Sequence, residues 1–234
     1  MTKRNLLLSM FAGTAALYSA GVGATLIGYN SCTGANSCLV APDDASIPNP
    51  IVSNPNDGIL LGWDEQQNVT LSENLYVNRV ADPTATFIGS DSRGYYIEAG
   101  TIVSSHYFQW DPGSGSSRRV SATLNFDSDI FGFITSDRNL FDSDAQLGLT
   151  GYDYADFGAR GLEGGDTTDF APGGDSSLVD INWLASSPGD WTRLLTAYSP
   201  AADDDPTSVP EPGTLGLFGF GLSLIGFTRK RKPS

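Results

Sequence analysis

The alternation of apolar and polar residues from Val120 to Phe126 limits the fold more than any other pattern in the chain. Positions 120, 122, 124 and 126 are apolar, and Ser121, Thr123 and Asn125 lie between them. Successive side chains of a β-strand point to opposite faces, so this segment predicts a strand with one buried and one hydrated face.

Further strand patterns occupy residues 69–77, 95–97, 102–110, 130–134, 179–183 and 191–198, separated by segments rich in glycine and aspartate. No amphipathic helix is evident between the two ends of the chain, although residues 153–162 could form a short one. Many short strands whose edges need protection predict an all-β domain over residues 59–200, an antiparallel β-sandwich or jelly roll.

The N-terminus has the three parts of a secretory signal. Lys3 and Arg4 precede an apolar stretch, and small residues end at Ala24. We expect residues 1–24 to form a signal helix that is cleaved after Ala24 following delivery to the export translocon. The alternative, a buried N-terminal helix, is disfavoured by three glycines within the segment and by the basic residues before it.

Residues 25–58 predict an irregular, proline-rich lead-in to the β domain. Cys32 and Cys38 lie within it, with five residues between them. Export implies an oxidising compartment, which favours a disulfide between these two cysteines. A metal-binding pair is the alternative, but no histidine or second cysteine pair lies nearby to complete a tetrahedral site.

The C-terminus contains an acidic linker, residues 201–208, and then an apolar tail, residues 209–234. The tail begins with Pro210, Glu211 and Pro212, continues through the uncharged residues 213–228 and ends with a basic cluster. The cluster comprises Arg229, Lys230, Arg231 and Lys232. Sixteen helical residues rise about 24 Å, slightly less than the roughly 30 Å hydrocarbon core. The tail therefore predicts a marginal transmembrane helix with its basic end in the cytoplasm.

The order of these tail features resembles the PEP-CTERM sorting signal of Gram-negative bacteria, also catalogued as the C-terminal domain of ice-binding proteins. The resemblance implies transient insertion in the inner membrane and recognition by an exosortase, which cleaves near Pro210–Pro212. The protein would then reach the cell surface or the exopolysaccharide matrix of a biofilm. A plain single-span anchor is the alternative reading of the tail.

Short segments of the body resemble an uncharacterised cargo domain of PEP-CTERM proteins over roughly residues 57–199. The segments are residues 99–107, 134–136, 142–144, 160–163 and 187–190. This resemblance implies no activity.

The charge of the body restricts its partners. The two ends hold six of the 13 basic residues, so seven arginines stand against 26 acidic residues between the ends, a formal charge of −19. Such a surface repels phosphate backbones and excludes nucleic acid as a partner, which leaves cations or neutral polymers such as exopolysaccharide.

Acidic pairs in or beside loops are the candidate metal ligands, because Ca²⁺ prefers clustered oxygen atoms. The four aspartates concerned are Asp127, Asp129, Asp142 and Asp144. They lack the remaining positions of an EF-hand loop, and Asp-Ser-Asp sequences also serve as turn formers. No other cofactor is predicted.

Evidence for catalysis is weak in this sequence. His106 is the only histidine, and no Gly-x-Ser-x-Gly motif accompanies it, so we expect a structural histidine. The many carboxylates could supply a glycosidase pair by chance. Aromatic residues could instead stack on sugars, and the candidates are Trp63, Tyr95, Tyr96, Trp110, Tyr152 and Tyr154. No repeat of the kind that a regular ice-binding array needs is visible.

These patterns together predict an exported surface or matrix protein with a structural or adhesive, non-catalytic β domain. The alternatives are a secreted calcium-dependent glycan-binding module and a glycan-active enzyme.

Overall fold

The computed structural model describes residues 26–199, apart from residues 53–54, 56, 116, 155–157 and 159. The predicted signal peptide, the predicted acidic linker and the predicted transmembrane helix of the tail all fall outside the described residues. Within the described residues, no helix has both the length and the apolar character that crossing a bilayer requires.

The described residues form fourteen β-strands and one α-helix. The strands are β1 (Leu26–Thr33), β2 (Ser37–Val40), β3 (Ile59–Asp64), β4 (Val69–Thr70), β5 (Leu75–Val77), β6 (Arg79–Val80), β7 (Ile88–Asp91), β8 (Gly94–Ile97), β9 (Ile102–Trp110), β10 (Arg118–Phe126), β11 (Ile130–Ile134), β12 (Thr167–Phe170), β13 (Leu178–Ala185) and β14 (Asp190–Thr196), and the helix is α1 (Asp137–Leu147).

The strands build three sheets. A four-stranded sheet has the order β1-β10-β13-β12, and a seven-stranded sheet has the order β2-β3-β9-β14-β11-β6 with β4 paired to β9. A three-stranded sheet has the order β5-β8-β7. The all-β class is confirmed. The prediction of a purely antiparallel arrangement is wrong for one strand pair, because β2 runs parallel to β3. The jelly-roll topology stays a prediction.

The four-stranded and seven-stranded sheets enclose one hydrophobic core. The alternation in β10 places Val120, Leu124 and Phe126 in this core, as predicted. Phe108 and Trp110 of β9 meet them from the seven-stranded sheet and are fully buried.

A second core lies on the opposite face of the seven-stranded sheet. Val103 and Tyr107 of β9 point into it, since they alternate with Phe108 and Trp110 along the strand. Residues of α1 and of the three-stranded sheet complete this core, among them Leu140 and Ile97. The seven-stranded sheet is therefore covered on both faces.

The helix lies at Asp137–Leu147, whereas the sequence allowed a short helix at 153–162. The described residues within 153–162 belong to no helix. Ser136 caps the first turn of α1 by accepting a hydrogen bond from the Asn139 backbone N–H, at 3.4 Å. The negative charge of Asp137 in that turn interacts favourably with the positive end of the helix dipole. Tertiary burial of Leu140 and Leu147 adds to this stabilisation.

The predicted disulfide is present between Cys32 and Cys38, whose Cα atoms are 6.1 Å apart. Cys32 belongs to β1, an edge strand of the four-stranded sheet, and Cys38 belongs to β2, an edge strand of the seven-stranded sheet. The bond therefore connects the two sheets of the sandwich at one edge.

Candidate functional site

His106 lies between two polar partners inside the sandwich core. Its Nδ1 atom is 2.6 Å from Asp64 Oδ1, and its Nε2 atom is 3.1 Å from Thr196 Oγ1. The order acid, imidazole and hydroxyl is that of a catalytic triad. However, His106 and Thr196 are fully buried, and the Thr196 hydroxyl donates to the carbonyl of Ala197 at 3.2 Å. The geometry agrees with a structural histidine that connects β3, β9 and β14.

The second core contains a buried ionic network that the sequence did not reveal. Arg193 of β14 donates to both carboxylate oxygens of Glu65, at 2.5 and 2.8 Å, and to Asp144 Oδ1 at 3.1 Å. It also donates to the Leu140 carbonyl and the Ser143 hydroxyl on α1. Burial alone would lower the pKa of Arg193, but the charge and hydrogen bonds of Glu65 and the charge of Asp144 raise it.

Arg160 extends the network to the aromatic side chains. Its guanidinium binds both oxygens of Asp144, at 2.7 and 2.9 Å, and donates to the Tyr107 hydroxyl. The Tyr154 hydroxyl donates to Glu65 at 2.6 Å. Burial raises the pKa of both tyrosines, so their hydroxyls stay protonated. Two arginines balance two carboxylates, and this network holds α1 against the seven-stranded sheet.

The structure places the four predicted calcium ligands in two separate regions. Asp127 accepts a hydrogen bond from the Ser199 hydroxyl at 2.6 Å, and Asp129 accepts one from the Ser176 hydroxyl, both beside the turn between β10 and β11. Calcium binding at these residues stays a prediction.

The other two predicted ligands lie on α1 and face arginines. Asp142 pairs with Arg138 at 2.9 Å, and Asp144 belongs to the buried network. The only close group of three potential metal-ligating side chains among the described residues contains none of the four.

That group consists of Glu163, Asp166 and Asp190, and we call it the acidic triad. One carboxylate oxygen from each residue lies within 4.8 Å of those from the other two. Asp166 and Asp190 are buried, whereas Glu163 is exposed. Burial, together with the charges of Glu163 and Asp166, raises the pKa of Asp190 to about 8. Three hard oxygen donors of this kind can hold a divalent cation.

The predicted sugar-stacking aromatics divide into two sets. Trp63, Trp110 and Tyr154 are buried in the cores and cannot contact a glycan. The remaining candidates are Tyr95, Tyr96 and Tyr152, which are exposed or half-buried.

Tyr96 lies on the three-stranded sheet beside Tyr76, with ring centroids 5.7 Å apart. The guanidinium of Arg93 lies 3.8 Å above the centre of the Tyr76 ring. Arg93 therefore covers one face of the Tyr76 ring on this small sheet.

The outer face of the four-stranded sheet presents two rows of polar side chains, which we call the polar sheet face. All its members are exposed or half-buried. One row is Ser31, Thr123, Asp180 and Asp169, and the other is Thr33, Ser121, Asn182 and Thr167. Hydrogen bonds connect neighbours within a row, such as the Thr123 hydroxyl to Asp180 at 2.6 Å. The alternation in β10 predicted this hydrated face, but the aligned rows arise from strand register.

Comparison with known proteins identifies the tail. The family model for the PEP-CTERM protein-sorting motif matches residues 208–232. No curated protein and no solved structure matches the chain. The match confirms the resemblance seen in the sequence and indicates an exported protein targeted to an exosortase, with membrane-associated sorting before it reaches the surface. It covers the tail only.

Proposed function

We propose that this chain, which carries a PEP-CTERM sorting motif, is a structural or adhesive component of the cell surface or exopolysaccharide matrix. The single observation that carries the proposal is the motif at residues 208–232. The exosortase would cleave near Pro210–Pro212 and release the β domain from its temporary membrane anchor. The body would then act as the delivered cargo.

A non-catalytic role is supported by the way in which the body uses its reactive side chains. His106 is enclosed in the core with Asp64 and Thr196, where a substrate has no access. The buried carboxylate of Glu65 and the half-buried carboxylate of Asp144 are paired with arginines. The guanidinium hydrogen bonds occupy the carboxylate oxygens that a catalytic acid or base would need to reach a substrate.

An adhesive role is supported by the polar sheet face. Its strands are about 4.8 Å apart, and residues two apart on a strand are separated by about 6.8 Å. Hydroxyl, amide and carboxylate groups in such rows can donate to and accept from sugar hydroxyls. A strongly acidic protein that offers a hydrogen-bonding sheet suits a neutral polysaccharide better than an anionic one.

The sorting step can be tested with the full chain in a Gram-negative host that has an exosortase, and in the same host after deletion of the exosortase gene. We expect a shortened product, cut near Glu211, in the first host only. The double variant Pro210→Ala/Pro212→Ala should lose this processing. Pro206→Ala is the matched control, because Pro206 lies outside the matched residues, and it should be processed normally. Equal processing without the exosortase would refute the proposal.

The adhesive role can be tested by mixing the exported protein with neutral polysaccharides and measuring both co-sedimentation and released sugar. We expect retention on the polymer without products. The variant Thr123→Leu/Asn182→Leu should reduce retention, whereas Tyr95→Leu on the three-stranded sheet should not. Product formation would establish the enzyme alternative instead.

A further inference from the structure

The acidic triad joins parts of both sandwich sheets. Asp166 lies just before β12 of the four-stranded sheet, and Asp190 is the first residue of β14 in the seven-stranded sheet. Gly161 forms bridges with Ser136 and Trp191, so the segment that leads to Glu163 runs alongside the beginning of β14. The three carboxylates therefore meet at one end of the sandwich.

Asp190 is the member of the triad with an unsatisfied carboxylate oxygen. It is 3% exposed, and its Oδ2 atom has no hydrogen-bond partner. Among the described residues, no arginine forms an ion pair with any of the three carboxylates. The nearby Arg79 donates instead to the backbone carbonyl of Asp166, at 2.8 Å, and to the Thr168 hydroxyl. A buried carboxylate without a partner is costly, so a bound cation or a proton must compensate it.

Asp166 is held in place by the backbone. Its Oδ1 atom accepts from the Leu184 N–H at 2.6 Å, and its Oδ2 atom accepts from the Glu163 N–H at 2.9 Å. Each oxygen retains a further lone pair for a cation. Glu163, by contrast, is exposed and is followed by Gly164 and Gly165, so its carboxylate can adjust to an ion.

The irregular character of the site favours calcium over magnesium, because Mg²⁺ demands near-ideal octahedral geometry and gives up its waters reluctantly. The triad oxygens lie within 4.8 Å of one another, a spacing that one cation can bridge. Calcium also tolerates irregular coordination that water or a loop completes.

We propose that Glu163, Asp166 and Asp190 bind a calcium ion that connects the two sheets of the sandwich at the end where β12 and β14 begin. The site differs from the acidic pairs around Asp127 and Asp142. It needs neither the sorting motif nor an adhesive role. The affinity expected is that of extracellular calcium modules, with dissociation constants of about 10⁻⁴–10⁻³ M.

The test uses the full chain, purified in detergent, stripped with EDTA and then titrated with CaCl₂ or MgCl₂ in a calorimeter. We expect one calcium per chain, weaker binding of magnesium and a rise in melting temperature with calcium. Asp190→Asn should abolish the binding. Asp82→Asn is the matched control, an identical substitution at an exposed aspartate outside both the triad and the predicted calcium pairs, and it should bind as the unmodified chain does.

Glu163→Gln provides a second variant, since an exposed side chain can be replaced without disturbing the fold. It should weaken calcium binding at least about tenfold, the loss found even for residues that only support a metal ligand. Circular dichroism confirms that both triad variants are folded. The proposal is overturned if the unmodified chain gives neither heat nor a melting shift, if magnesium binds as well as calcium, or if folded Asp190→Asn binds calcium normally.

Discussion

The guanidinium group of Arg193 binds both carboxylate oxygens of Glu65, at 2.5 and 2.8 Å, although 128 residues separate the two in the chain. Both side chains are completely buried. A buried charge that loses its partner is strongly destabilising, whereas replacement of both charges by apolar groups is tolerated far better.

Glu65→Ala should therefore lower the free energy of unfolding by about 3–5 kcal/mol, measured by urea denaturation. Glu73→Ala, at an exposed glutamate, is the control and should change it by less than about 0.5 kcal/mol. The double variant Glu65→Leu/Arg193→Met should recover part of the loss. A single-variant loss no larger than that of the control would contradict the central role of this pair.

In the absence of calcium, we expect the acidic triad to make the folded protein less stable as the pH rises. In the folded protein, burial and the charges of Glu163 and Asp166 raise the pKa of Asp190 from 3.8 to about 8. Between these values the folded state holds a proton that the unfolded state has released. The contribution of Asp190 to stability is therefore complete below pH 4 and is lost as pH rises towards 8, at up to about 1.4 kcal/mol per pH unit.

Denaturation of the EDTA-treated protein at pH 5, 6, 7 and 8 measures this effect as the difference from Asp190→Asn, which cannot titrate. Added calcium should reverse the trend, because the cation replaces the proton and binds better as pH rises. Parallel pH profiles for the two proteins would show that Asp190 has no raised pKa.

Removal of the disulfide should weaken the connection between the two sheets. The double variant Cys32→Ser/Cys38→Ser should lose about 2 kcal/mol of unfolding free energy, the chain-entropy value for so short a loop. Thermal unfolding with and without a reductant measures the change. The reductant should destabilise the unmodified protein and leave the double variant unaffected, and equal responses would contradict the prediction.

The turn inside the disulfide loop depends on Gly34. This residue has φ = +85°, and a Cβ atom there would overlap the backbone carbonyl oxygen of Arg119 in β10. Gly34→Ala should therefore cost about 1–3 kcal/mol, the range for a strained backbone conformation. Gly164→Ala is the control, because a Cβ there meets open space. Equal melting temperatures for the two variants would contradict this argument.

Local patterns in the sequence were sufficient for part of the fold. The alternation in β10, the cysteine spacing and the order of features in the tail each reflect short-range chemistry, and the structure or the family match confirms them. The helix was missed because α1 carries four charged residues and buries only Leu140, Ser143 and Leu147. Its stability comes from contacts with distant strands, which periodicity does not reveal.

The polar sites could not be predicted because they depend on long-range pairing. Glu65 and Arg193 carry no shared motif, and Asp190 looks like an ordinary turn residue after Pro188 and Gly189. The sequence predicted calcium ligands at Asp-Ser-Asp pairs, whose two aspartates are neighbours but one in the chain. Glu163 and Asp166 are only three residues apart, but the long-range bridge between Gly161 and Trp191 is what brings Asp190 to them.

The two cores that cover the seven-stranded sheet share its central strand β9, which couples their unfolding. Phe108 belongs to one core and the adjacent Tyr107 to the other. Loss of either core would therefore remove the packing on one face of β9 and destabilise the other core as well. The β domain should therefore unfold in a single all-or-none calorimetric transition, with equal calorimetric and van't Hoff enthalpies, rather than in two steps. For a protein exported through a membrane, such cooperativity leaves few partly open states for proteases to attack.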